Sequence, residues 1–300
     1  MNISIKDYAF IITASAVVIS IALYLLQRQH TKLLREKQMQ GFLILTQLRS
    51  LLTHVQQHRG ISNGWLNGDD TLAQRLTSLA KQVTADIDHI HQQFPDVTMQ
   101  SQVQPVPRWE SIATHWPRLI RNTANLTIAN NLEQHNKLVL NILYFIDDIA
   151  EYYQIYKLTD AQDQSQRHDW LNLLFTAESI GQIRAIGTGV TARKSCSSVE
   201  RIRLNYLCHS VQKRIEDGID VTSAEAIKTL IMTIESDITI AQPCISMEQF
   251  FSLASHCIEL VFKEFDRQSQ QFEQLLYRRS QEVQPRQAER VLLPRSNKLR

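Results

Sequence analysis

Three hundred residues with 43% hydrophobic side chains can build a sizeable core, and scarce Gly (8) and Pro (7) favour long helices over turn-rich folds. A formal net charge of +2 gives no whole-chain attraction to nucleic acid, so none is expected as a partner. Cys196, Cys208, Cys244 and Cys257 form no CxxC pair, which argues against a zinc site and for free thiols in a reducing compartment.

The first element runs from Tyr8 to Leu26 and contains no charged residue. At about 1.5 Å per residue it can cross a bilayer core of about 30 Å, with Tyr8 and Tyr24 near the interfaces. No A-x-A site follows, so the segment reads as a retained transmembrane anchor and not as a secretory signal. Arg28, Lys32, Arg35 and Lys37 follow it, against Lys6 before it. Positive residues stay on the cytoplasmic side. The expectation is a single-pass protein of the bacterial cytoplasmic membrane, with residues 1–27 as anchor, 28–281 as a helical domain facing the cytoplasm, and 282–300 as a basic, disordered tail.

Helical periodicity continues from Gln27 to His58 through Leu33, Leu34, Phe42, Leu43, Leu45, Leu48, Leu51, Leu52 and Val55. Gly60, Gly64 and Gly68 are expected to loosen this helix, with Asn67-Gly68-Asp69-Asp70 as a break carrying a new N-cap. Thr71 to Phe94 resumes the period, and Pro95 to Pro107 reads as a loop. Ser111 to Asn131 is predicted helical, kinked or interrupted at Pro117. Leu132 to Leu158 follows, ended by Thr159-Asp160. Gln162 to Ala192 and Ser198 to Ile215 are the next helices, with Gly218 as a stop. Thr222-Ser223 should cap a helix from Ala224 to Ala241. Ser246-x-x-Gln249 is a capping box opening a last helix from Met247 to about Arg279. No segment alternates like a strand. The predicted class is all-α, an up-and-down arrangement of two packed helical bundles with one N-terminal transmembrane helix.

Two segments stand out chemically. Residues 58–66 and 183–190 each set an arginine among small residues inside helix-forming sequence. Small residues let helix backbones approach, and a guanidinium between them offers a permanent charge and a planar fork of donors suited to a flat oxyanion. The bland alternative is that Arg59 reaches solvent, or pairs with Glu178 or Asp69, and that the glycines only permit close packing. His54 and His58, four apart with no third ligand fixed, do not make a metal site. No phosphate loop, triad spacing or acid pair is present, so neither an enzyme nor a cofactor is expected.

Leu52 to Leu66 resembles the first signature of the nitrate- and nitrite-sensing (NIT) domain family through Leu52, Gln56, Gln57, Arg59, Gly60, Ser62 and Leu66. Glu178, Gly181, Arg184 and Ala185 resemble its second. The resemblance covers about residues 40–280. It implies an all-α domain that binds nitrate or nitrite between two bundles and passes a helix shift to an output module, with the anion held by Arg59 and Arg184. Around them Gly60 and Gly181 would admit the ligand, and Ser62 and Thr188 would each supply a hydroxyl. The residue before the first arginine, often acidic in the family, is His58, whose charging near neutral pH would tune the pocket. No kinase-, cyclase- or RNA-binding-like segment is legible after the last helix. Signalling is therefore expected to pass through an unknown partner protein, with a homodimer through the first long helix as a further expectation. A ligand-free, membrane-tethered scaffold or interaction module is the alternative.

Overall fold

The computed structural model describes residues 5–95, 99, 105–157, 169–216 and 219–282, with side chains over 13–95, 99, 105–156, 170–216 and 219–278. Its α-helices, in chain order, are α1 (Ile5–Leu66), α2 (Ala73–Gln93), α3 (Val106–Asn122), α4 (Ile128–Tyr152), α5 (Asp169–Arg193), α6 (Ser198–Glu216), α7 (Val221–Thr233) and α8 (Met247–Glu282). Among the described residues there is no strand. The chain divides into two compact units, Gly41–Gln270 and the described parts of Met1–Gln40 with Gln271–Arg300.

The core belongs to the first of these units. On α1 the apolar stripe buries Phe42, Ile44, Leu45, Leu48, Leu51, Leu52 and Val55, spaced so that one helix face meets the interior. Leu33 and Leu43 share the periodicity but stay exposed. Val83, Ile87 and Ile90 of α2 are buried, as are Trp109, Ile112 and Trp116 of α3 and Leu138, Ile142, Phe145 and Ile149 of α4. Glycines set two close helix contacts. A Cβ at Gly41 of α1 would lie 2.4 Å from Tyr153 Cβ, and one at Gly187 of α5 would lie 2.2 Å from the Phe250 ring of α8.

Several boundaries differ from the sequence expectation, each for a local reason. α1 stays helical through Gly60 and Gly64 and stops only at Leu66, where Gly68 takes φ +99° and Asp69 caps the next turn by accepting from the Thr71 amide. Two interior glycines cost about 1 kcal/mol each, less than the burial on either side supplies. α3 begins at Val106, carries Pro117 inside it and ends at Asn122; the following helix starts on an unforeseen cap, Thr127, which accepts from the Asn130 amide. α4 ends at Tyr152, before Thr159, where Gln154 adopts φ 55°. The cap of α7 is Asp220, not Thr222-Ser223, and that helix passes at Ile234–Ile238 into a π-helical turn. The capping box at Ser246 and Gln249 forms reciprocally, at 3.2 and 3.4 Å. Thr159-Asp160, Gly218 and the tail over 283–300 lie outside the described residues.

Among the described residues no helix is long and apolar enough to cross a membrane, so the transmembrane expectation for Tyr8 to Leu26 is not supported.

Candidate functional site

Arg59 and Glu178 form a buried ion pair. Arg59 sits on α1 and is 5% exposed, and Glu178 sits on α5 at 7%. Arg59 Nη1 donates to Glu178 Oε1 at 2.5 Å and to Asn136 Oδ1 of α4 at 2.7 Å. The carboxylate accepts two further bonds, from Gln56 Nε2 on Oε2 at 2.9 Å and from Gln182 Nε2 on Oε1 at 2.9 Å. Helix geometry explains the second shell of donors. Gln56 and Arg59 are three apart on α1, and Glu178 and Gln182 four apart on α5, so each pair shares a face. A charge this buried is tolerable only when paired and hydrogen-bonded, and here Arg59 Nη1 meets a carboxylate and an amide oxygen while both Glu178 oxygens accept bonds.

Gly181 makes room for the pair. A Cβ there would stand 3.0 Å from Arg59 Nη2, so the guanidinium lies against the α5 backbone. Arg184 follows one turn later. Its Nη1 donates to Ser255 Oγ of α8 at 2.8 Å, and its guanidinium carbon stands 4.9 Å from the centre of the Phe251 ring. Burial lowers the Arg184 pKa below the ordinary guanidinium value, and the like charge of Arg59 lowers it further, while Glu178 and Glu259 pull it back up. The two arginines therefore act on each other. Among the described residues Arg184 has no carboxylate within ion-pair distance. Thr188, one further turn along α5, has a buried Oγ1 with no hydrogen-bond partner in the described structure.

The remaining expected site residues go elsewhere. Gly60 is exposed and a Cβ there would meet nothing within 4 Å, so it lines no close approach. Since α1 does not fray at Gly60, no amides are released there. Ser62 is fully buried but faces α4. It donates to the Arg59 carbonyl at 3.1 Å and accepts from Asn131 Nδ2 at 3.0 Å.

His58 also faces away from Arg59, toward α3 and α4. Its Nδ1 lies 2.9 Å from His135 Nε2, and its ring meets Trp116 edge-on at 4.9 Å. His135 Nδ1 lies 2.8 Å from the Asn131 carbonyl, which can only accept, so that nitrogen carries the proton. Neutral His135 then accepts at Nε2, and His58 donates from Nδ1. Burial holds both neutral, lowering His58 to about 4, and burial together with the repulsion that a charged His58 and Arg59 would exert lowers His135 to about 3. The expected tuning of the pocket by His58 near neutral pH is thus overturned. His54, one turn before His58 on α1, meets Asp86 Oδ2 of α2 at 2.5 Å while His58 meets His135, so the two histidines do not converge.

Gln56, Gln182, Asn136, His135, Ser255 and Phe251 complete the constellation. Gln56 and Gln182 were visible as same-face neighbours of Arg59 and Glu178. The other four arrive from distant helices, and local sequence carries no sign of them.

No family model matches the chain, and no curated relative matches it. Among solved structures, the chain is similar to the structure of the NasR transcription antiterminator at a TM-score of 0.65 and 14% identity, over 91% of this chain and 77% of that one. At that identity the likeness is one of fold: this chain shares the helical architecture of NasR.

Proposed function

We propose that this chain is a helical sensor of nitrate or nitrite that binds the anion beside Arg59, Glu178 and Arg184 and signals through a partner protein. One observation carries the reading. Residues of both NIT-like signatures, Gln56 and Arg59 from the first and Glu178, Gly181 and Arg184 from the second, surround one buried ion pair. The charge count favours a monovalent ligand: two guanidinium groups face one buried carboxylate, leaving one positive charge to be met. Nitrate is planar and weakly hydrated, and matches a guanidinium fork. Thr188 Oγ1 offers an uncommitted hydroxyl on the same helix face as Arg184. The shared fold with a transcription antiterminator supports a regulatory role.

Arg184 is the group that moves most cheaply, since it gives up one hydroxyl bond and a ring contact. An anion drawing Arg184 toward Arg59 would pull α5 relative to α8, and that is the helix shift the partner reads. Membrane attachment through Tyr8 to Leu26 belongs to the proposal on sequence pattern. Val17, Val18, Ile19, Ile21, Leu23, Leu25 and Leu26 are all exposed, apolar around the whole helix.

The scaffold reading has its own support, because Arg59 already has its charge met by Glu178. A thermal-shift titration of the full chain separates the two. Millimolar nitrate or nitrite should raise the Tm where equal chloride does not, and Arg184→Ala should abolish the rise. A Tm indifferent to both anions leaves the scaffold.

A further inference from the structure

A cavity of about 410 Å³ opens between α3, the turn after it and α4. Arg118 and His115 of α3 line it with Gln134 of α4, and Leu119 and Leu126 supply an apolar side. Not one of its lining residues is acidic. Arg118 has no carboxylate within ion-pair distance among the described residues, whereas Lys137 nearby is paired with Glu133 at 2.7 Å. His115 feels Arg118 and Lys137 as like charges, and its Nε2 is buried without a hydrogen-bond partner. Ser111 Oγ, at the rim, accepts from Asn141 Nδ2 at 3.3 Å and keeps its own proton to donate. Elsewhere in the Gly41–Gln270 unit the cavity beside α7 and α8 mixes both signs, with Asp220, Glu264 and Asp266 against Lys263 and Arg267. Net positive lining without a carboxylate thus sets the α3–α4 cavity apart from the one beside α7 and α8.

We propose that this cavity binds a small organic anion, its carboxylate or phosphate head on Arg118 and its apolar body against Leu119 and Leu126. The volume lies in the range of small-molecule sites, about 300–1,000 Å³, and far exceeds a bare nitrate ion. An unpaired arginine at the mouth of a partly apolar pocket supplies the charge-assisted fork that either head group can use. The leucines distinguish an organic anion from an inorganic one. None of these groups belongs to the Arg59 network, so the proposal stands or falls independently of nitrate sensing.

Calorimetric titration of the full-length protein with benzoate and with phenyl phosphate tests it, with benzyl alcohol and sodium nitrate as controls. Saturable binding of one or both anions in the millimolar range is expected, and the tighter of the two identifies the head group. Arg118→Ala should weaken it about tenfold or more and Arg118→Lys less, the loss of one charge-assisted contact. Leu126→Ala should weaken it less, and benzyl alcohol should not bind. The proposal fails if neither anion binds at about 10 mM, if benzyl alcohol binds equally well, or if Arg118→Ala leaves the affinity unchanged. Nitrate displacing benzoate at equal concentration would also overturn it, because the apolar body would then contribute nothing.

Discussion

Arg59 and Arg184 carry the same group on facing helices, yet the protein uses them differently. Arg59 is almost sealed, with its charge met by Glu178 and a further bond to Asn136. Arg184 is half-buried and holds only the Ser255 hydroxyl and the Phe251 ring. One is a fixed element of the core, and the other a charged group with donors to spare. A small anion cannot readily compete with a carboxylate that is covalently tethered and already hydrogen-bonded by two glutamines. It can recruit the arginine that has no carboxylate. Stability should therefore depend on the first and ligand response on the second.

The largest effect expected is at Glu178. Glu178→Ala leaves the Arg59 charge buried and unpaired and should cost about 3–5 kcal/mol, read from the urea midpoint. Arg184→Ala removes a ring contact and one hydroxyl bond, and should cost about 1 kcal/mol. Equal losses would break the contrast between the two arginines. Replacing both Arg59 and Glu178 by methionine sharpens it: the double variant should be much more stable than Glu178→Ala, since the penalty lies in the orphaned charge.

Acid should act next, from the side of α1 that meets α3 and α4. Unfolded, His58 and His135 take up protons near pH 6.5; folded, they resist until about 4 and about 3. Over that interval the unfolded chain binds more protons, so the contribution is complete above pH 6.5 and is lost as pH falls toward 4. For His58, which is 1% exposed, the loss amounts to about 3 kcal/mol by pH 4. Urea melts at pH 7, 6 and 5 should show the decline, and His135→Gln should flatten it. A melt unchanged between pH 7 and 5 would mean that one imidazole is already charged in the folded state.

How far sequence reached is clear from these same residues. Helix identity was legible because 3.6-residue periodicity survives single glycines and prolines, as at Gly60 and Pro117. Boundaries were less so. Thr127 and Asp220 cap helices by bonding to nearby amides, and many Thr and Asp residues could have done the same. Arg59, Glu178 and Gly181 were readable as participants, Arg59 because it sits among small residues and all three because they fall in the segments that resemble the NIT signatures. Their pairing was not decidable, since Asp69 and solvent competed for Arg59 until α1 and α5 were placed together. Ser62 and Gly60 failed for a simple geometric reason. Gly60 lies about 100° round the helix from Arg59 and meets nothing within 4 Å, and Ser62, about one turn on, is held by Asn131 of α4.

Gly187 probes the packing on the Arg184 side. A methyl there would meet the Phe250 ring at 2.2 Å, between two helices that cannot both yield. Gly187→Ala should cost about 1–3 kcal/mol through overpacking, despite its better helix propensity. Phe250→Leu in the same chain should recover part of the loss. No recovery would place the strain elsewhere than at the contact between α5 and α8.

The smallest change in stability is expected at Gly181, and it is the most specific to the site. An added Cβ would stand 3.0 Å from Arg59 Nη2, the far end of a flexible side chain, and so can be met by a shift of a few tenths of an ångström. Gaining a helix-favouring residue in place of glycine is worth about 1 kcal/mol, roughly what displacing the guanidinium from its two acceptors would cost. Gly181→Ala should therefore melt close to wild type while altering the Tm rise produced by nitrate. Because the methyl pushes Arg59 and leaves Arg184 in place, a reduced rise would show that both guanidinium groups touch the ligand. An unaltered rise would assign the anion to Arg184 and Thr188 alone, with Arg59 confined to the core.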